Sequence, residues 1–464
     1  MLNPIRRRLT LAAIALSVFV ALPAIGQTIN EDIKLTAFDG AAFDYFSSSI
    51  AIKNGVVAVG AYSDDNNNGM GSGSAYLYDA TTGTQLFKLL ASDGTMGDNF
   101  GSSIAIDNGI IAVGAFNDND DKFNGSGSGS AYLFDASTGA QLFKLLPSDG
   151  AAGNPFSWSI AIDNGIVAVG SIAIGDRWGH GFDPDSGAAY LFDASTGAQL
   201  FKLLPSDGAA DDWFGHSIAI DNGIVAVGAI FDDDNGVDSG SAYLFDASTG
   251  AQIAKILPND GAFDDYFGSS IAINNGVVAV GAIYDGDNGS QSGSVYLFDA
   301  STGVQMAKLL ANDGVAVDTF GTSIAIDNGI IAIGSLNGGD NGSYSGSAYL
   351  FNISNGTQIT KLLPSDGEFG DDFGWSIAID NGVVAVAAIQ DDDNGSDSGS
   401  AYMFTVPTPC PADLTNDGTL NFFDVSAFIT ALANNDPIAD FNNDGRWNFF
   451  DVSAFLQAFA AGCP

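Results

Sequence analysis

The side chains best spaced to do chemistry are oxygen donors near the C-terminus. In the twelve residues from Asp413 to Asp424, the places of a calcium loop are filled by Asp413, Thr415, Asp417, the carbonyl of Thr419, Asn421 and Asp424, with Gly418 at the sharp bend. The same places recur 27 residues later as Asp440, Asn442, Asp444, the carbonyl of Arg446, Asn448 and Asp451, with Gly445 at the bend. Hard oxygens at alternate places around one glycine suit Ca2+. Thr415 is the weakest of these ligands and is expected to lower affinity in the first loop. Each loop runs into an apolar stretch, Val425 to Leu432 and Val452 to Phe459, expected to be helical.

A second set of acids lies upstream. From Asp391 to Asp397 the carboxylates of Asp391, Asp393 and Asp397 stand at first, third and seventh places, with Gly395 allowing a bend; Asp232, Asp234 and Asp238 repeat the arrangement. The pattern resembles a calcium loop without its bidentate closing acid. Two expectations stand side by side: calcium in some of these loops, or aspartates that only form turns and keep the chain soluble. One loop differs from the rest. Between Gly175 and Asp185 it carries Asp176, Arg177, Trp178, His180 and Asp183, which reads either as a sugar-binding loop or as an insertion packing on its neighbour.

The elements that hold these loops repeat. A unit opening on Phe46, Phe100, Phe156, Phe214, Phe267, Phe320 and Phe373 recurs at spacings of 54, 56, 58, 53, 53 and 53 residues. In the fourth unit, Ser217 to Ile220 and Ile224 to Gly228 read as strands joined by Asp221-Asn222-Gly223, a type I′ hairpin signal. An acidic loop leads to a third strand, Ser241 to Phe245, and a turn to a fourth, Gln252 to Leu257. Four short antiparallel strands per period make a propeller blade; a linear solenoid is the alternative, with shorter repeats. The last repeat stops after its third strand at Phe404, and Ile33-Lys34-Leu35 copies the missing fourth. The N-terminal strand is therefore expected to close a ring of seven blades and 28 strands, an all-β propeller followed by a small α-helical tail. In such blades the second-to-third and fourth-to-first loops leave on one face, so Asp232, Asp233, Asp234 and Asp238 should share a rim with Asp207, Asp211 and Asp212.

The formal charge is −41, and of 55 acidic residues only Glu31 and Glu368 are glutamates. So negative a field argues against nucleic acid as a partner and favours cations. Arg6 to Arg8 followed by an apolar run from Leu9 to Leu22 and small residues around Ala24 to Gly26 read as a signal peptide over 1–26, so export is expected; a membrane anchor is the alternative, but the run is short for a span. No transmembrane segment is expected in the mature chain. The propeller is expected over 27–405, a proline-bearing linker over 406–409 and the tail domain over 410–464. Cys410 and Cys463 bracket that tail, and in an exported chain a disulfide between them is expected, two free thiols or a metal pair being the alternatives.

Phe214-Gly215, the strand after it and Val225 to Ala229 resemble the FG-GAP repeat of integrin α-subunit propellers and of many exported microbial proteins, over Ile33 to Phe404. Integrin blades carry calcium between their first and second strands, where this chain has only Asp221-Asn222-Gly223, so that ligand set does not carry over. The tail from Cys410 to Pro464 resembles a dockerin, which implies calcium and a cohesin-type receptor. Phe422-Phe423 and Phe449-Phe450 stand where cellulosomal dockerins have small polar residues, which leaves a different cohesin or another cell-surface anchor open. Together these imply an exported, non-catalytic binding or adhesion protein with an unidentified protein or glycan ligand on its propeller. The alternatives are a dockerin-tethered carbohydrate-active enzyme, with Asp176, His180, Asp183 and His216 as its candidates, and a purely structural surface protein.

Overall fold

Each period folds as four antiparallel strands because its turns and its apolar alternation agree. A computed structural model describes residues 28–119, 127–150, 153–172, 186–406, 412–415, 420–434, 436–441 and 446–461. The first complete blade is Phe46–Lys53, Val56–Ala61, Ser74–Asp79 and Gln85–Leu89, hydrogen-bonded in that order. Its first reversal is Asn54-Gly55 with φ of +50° and +79°, the two positive values a type I′ turn needs. Four further sheets repeat this order within one period.

The ring closes as expected. Ile33–Leu35 pairs antiparallel with Ser400–Thr405, Lys34 opposite Tyr402, to complete the seventh blade. The innermost strands touch in succession, and the last of them, Phe373–Asp380, touches Phe46–Lys53. Asp380 also accepts the backbone N–H of Asn54 at 2.8 Å across that seam. Among the described residues there are 29 strands: the 28 of the blades and one unanticipated two-residue strand, Thr28–Ile29, which runs parallel along the outer strand Thr357–Leu362 of the sixth blade. There it covers a sheet edge.

The core lies between blades rather than within them. Val57 and Val59 of one strand pack with Met403 and Ala385 of the seventh blade, while Ala58, on the opposite face, packs with Phe100 and Ile111 of the second. Both faces are buried, so the strand is apolar throughout. Phe100 packs edge-to-face on Tyr132 and Phe134, with ring centroids 5.6 and 5.7 Å apart, and every blade repeats the arrangement. The glycine after that phenylalanine is required by a close approach. At Gly101, φ is +96°, and a Cβ would stand 2.3 Å from the carbonyl oxygen of Ser74. Ser49 Oγ donates to the carbonyl of the same Gly101 at 2.8 Å, tying neighbouring innermost strands together.

Val406, expected in the linker, is buried in the seventh blade, and its N–H donates to Gly382 at 2.7 Å. The tail helices are Phe422–Asn434 and Phe449–Ala461, longer at both ends than the apolar stretches suggested. They pack through the duplicated Phe428 and Phe455, stacked at 4.1 Å, with Phe441 perpendicular to both. Among the described residues no helix is long and apolar enough to cross a membrane. The signal segment, Cys410, Cys463 and the loop from Asp176 to Asp183 lie outside the described residues.

Candidate functional site

The acidic loops converge on lysines. The fourth strand of each blade carries one: Lys88, Lys144, Lys202, Lys255, Lys308 and Lys361, with Lys34 completing the seventh. Each ammonium reaches back to an aspartate on the loop that enters its blade, as Lys255 does to Asp207 at 3.0 Å. In every blade but the third, the described residues also give the lysine an aspartate from its own second-to-third loop. Both loop classes therefore share one rim, as strand direction requires.

The predicted acids of the fourth and seventh blades meet in this clamp. Lys255 Nζ lies 2.9 Å from Asp232 and 2.6 Å from Asp234; Lys34 Nζ lies 3.0 Å from Asp391 and 2.5 Å from Asp393. Each ammonium also sits over a third-strand tyrosine, 5.1 Å from the Tyr243 ring centroid and 4.9 Å from that of Tyr402. Burial works against the Lys255 charge, but the carboxylates around it outweigh burial and hold its pKa above the usual lysine range. Burial likewise works to raise Asp232, and the hydrogen bonds from Lys255 and Tyr243 help bring it below the usual carboxylate range.

The third member of each predicted set lies elsewhere. Asp238 and Asp397 adopt φ of +57° and +53°, and their N–H groups donate to Asp233 and Asp392 at 2.8 and 2.7 Å. Asp232 Oδ1 accepts the N–H of Asp234, and Asp391 Oδ1 that of Asp393, both at 3.1 Å. These are aspartate turns closed on the backbone two residues on. Among the described residues no group of three or more His, Cys, Asp or Glu is arranged to hold a metal ion. The lysine was missed by sequence reasoning, although its signal was present: a lysine recurs at the same fourth-strand place in every period.

Next to the clamp sits a different carboxylate. Asp212 is buried and accepts the N–H of Ala209 at 2.7 Å, and burial pushes its pKa up to about 6, aided by the nearby charge of Asp232. Asp44, Asp265 and Asp371 occupy the same place in other blades and are raised to about 6 by the same cause.

In the tail, the described loop residues gather around the closing acids. Asp424 and Asp451 are fully buried. Thr415 Oγ1 donates to Asp424 at 2.8 Å and to Asp413 at 3.3 Å, so places 1, 3 and 12 of the first loop converge. The N–H groups of Asn421 and Asn448 donate to Asp424 and Asp451 at 2.9 and 2.7 Å. In return, Asn421 and Asn448 Oδ1 accept from Phe423 and Phe450 at 2.7 and 2.9 Å. These asparagines thus cap the helices, in a reciprocal arrangement with the acid three residues on. Asp440 and Arg446 are also described; Asp417, Thr419, Asn442 and Asp444 lie outside the described residues.

Of the catalytic candidates only His216 is described. It lies on the innermost strand Phe214–Asp221, and burial pushes its pKa down to about 4, so the imidazole is neutral at physiological pH.

The FG-GAP repeat profile matches this chain seven times, over residues 29–78, 84–134, 140–192, 198–245, 251–298, 304–351 and 357–404. The comparison with curated proteins finds no match. Among solved structures, the chain is similar to the crystal structure of the computationally designed Ika8 protein, at a TM-score of 0.46 and 16% identity, over 81% of this chain and 100% of that one.

Proposed function

The chain belongs to the FG-GAP repeat family, and on that premise we propose that it is an exported, non-catalytic binding protein. Its propeller presents a ligand surface, and its duplicated tail fixes it, through calcium, to a cohesin-type or other cell-surface partner. One observation carries the anchoring role. Phe422, Phe423, Phe449 and Phe450 open the two tail helices and are 76%, 67%, 76% and 67% exposed. Large apolar side chains left in water, duplicated at equivalent places, suit burial against a partner.

The donor set fits calcium. Asp424 is a carboxylate without solvent exposure, held by the Thr415 hydroxyl and the Asn421 amide, and a buried charge favours a nearby counter-charge. Asp413, Thr415, Asp417, Thr419, Asn421 and Asp424 would hold one ion; Asp440, Asn442, Asp444, Arg446, Asn448 and Asp451 would hold the other. Such an ion supplies rigidity to loops whose oxygens otherwise repel one another. A disulfide between Cys410 and Cys463 would clamp the two ends of the tail.

The test is retention of the full mature chain on the cell-envelope fraction of the producing organism. Retention with calcium, release by a chelator, and loss in the variant Phe422→Ser/Phe449→Ser are expected. Retention indifferent to both the chelator and the variant sinks the anchoring role.

A further inference from the structure

The blades copy one another closely, yet a few positions differ from blade to blade. The residue before the blade-opening phenylalanine is Tyr45 in the first blade, Trp213 in the fourth and Asp372 in the seventh. The third residue of the innermost strand is Ser102 in the second blade, Trp158 in the third and Trp375 in the seventh. Both positions stand beside the axis, at the strand end from which the acidic loops emerge. The fold thus holds an invariant frame around a varied mouth.

Half of that mouth is a continuous aromatic arc. Ring centroids step from Phe116 to Trp158 at 5.6 Å, to Trp213 at 6.4 Å, to Phe231 at 4.8 Å, to Tyr266 at 5.3 Å and to Tyr284 at 4.8 Å. The opposite side is mixed. Trp375 is 41% exposed while its indole N–H is pinned to the carbonyl of Ser48 at 3.0 Å, and Gln390 Nε2 donates to Asp372 at 2.5 Å. Three polar atoms of this region, Trp213 Nε1, His216 Nδ1 and Asp211 Oδ1, are buried without a hydrogen-bond partner. Orphaned polar atoms are costly, and here they comprise both a donor and acceptors.

Resting on the reading of the propeller as a binding body, we infer that this axial mouth is a binding site for a neutral saccharide. Hydroxyl groups donate and accept at once, so they suit a region that leaves both a donor, Trp213 Nε1–H, and an acceptor, Asp211 Oδ1, without partners. The apolar faces of a sugar ring stack on aromatic rings. A cationic ligand only donates and would leave Trp213 Nε1–H unpaired. An anionic one would enter against a chain of formal charge −41.

The test applies the full mature chain to an array bearing neutral, uronic-acid and amino-sugar oligosaccharides together with polylysine. Retention by neutral oligosaccharides is expected, weakened about tenfold in Trp375→Ala and in Tyr284→Ala, the size of one lost aromatic contact. A melting temperature for each variant separates lost binding from lost folding. The tail variant Phe422→Ser/Phe449→Ser should bind sugar unchanged, so a failed anchor leaves this result standing. Retention only by polylysine or by charged sugars, no retention by any neutral sugar, or binding that survives both mouth variants overturns the inference.

Discussion

Lys34 Nζ lies 3.0 Å from the carboxylate of Asp391, a residue 357 positions further along the chain. The contact joins the fourth strand of the seventh blade, which comes from the N-terminus, to a loop of the same blade that is among the last parts of the propeller to be made. It repeats, across the closure of the ring, what Lys255 and Lys308 do inside continuous blades. The N-terminal strand thus supplies a sheet edge and also the positive charge that the last acidic loop requires.

Replacing Lys34 by Met should therefore destabilise the whole propeller. It leaves the buried Asp391 facing Asp366 and Asp393 without a cation. A loss of about 2 kcal/mol is expected, since stranding one partner of a buried pair costs more than the pair contributes. Urea unfolding would measure it; a change in midpoint too small to detect would mean that the seam tolerates an open charge.

The two glycine types of each blade should respond differently to alanine. Gly109, at φ +77°, has open space where a Cβ would go, so Gly109→Ala should cost about 1 kcal/mol of backbone strain. Gly101→Ala adds a clash with the Ser74 carbonyl at 2.3 Å and should cost at least twice as much. Thermal melts of the two variants side by side decide this.

Stability should fall as pH rises from about 4 to above 6 wherever the raised carboxylates dominate. Asp212 has a folded pKa of about 6 against an ordinary 3.8, so the folded state holds more protons in that window and loses stability as pH rises through it. Asp212→Asn keeps an acceptor for Ala209 and should gain about 1 kcal/mol at pH 8, with no gain at pH 3.5. Asp285, held low because Lys308 and Tyr296 outweigh its burial, works in the opposite direction: its stabilisation is present above the ordinary carboxylate pKa and is lost as acid protonates it. A pH series of melts on the variant and the parent separates the two.

Chelation should soften the tail and spare the propeller. The rim carboxylates Asp232 and Asp391 already have ammonium partners, whereas the buried Asp424 is held by the Asn421 amide and the Thr415 hydroxyl. Calorimetry of the full chain with and without EGTA should show the lower-melting transition move and the main one stay. Movement of the main transition instead would return calcium to the acidic rim.

Capping can be tested separately from ion binding. Asn448→Ala removes the acceptor for the N–H of Phe450 and should cost the second helix about 1 kcal/mol even in EGTA. If the loss appears only with calcium present, Asn448 acts as a ligand rather than a cap.

The sequence by itself determined the ring. Short all-apolar runs such as Val56–Ala61, Asn-Gly turns and the spare copy Ile33–Leu35 are local signals, each readable within one repeat, and together they require seven blades sewn shut. Strand direction also placed the acids on one rim. What the acids face was decided by tertiary structure alone. Aspartate at alternate places serves an aspartate turn and a cation loop equally well, and only the approach of Lys255, 23 residues beyond Asp232, distinguishes them. The two-residue strand Thr28–Ile29 is too short to carry a pattern, so it became visible only beside Thr357–Leu362. The aromatic mouth was hidden for a related reason. Phe116, Trp158 and Trp213 lie one to a blade, tens of residues apart, and only the packing of neighbouring blades brings their rings within contact.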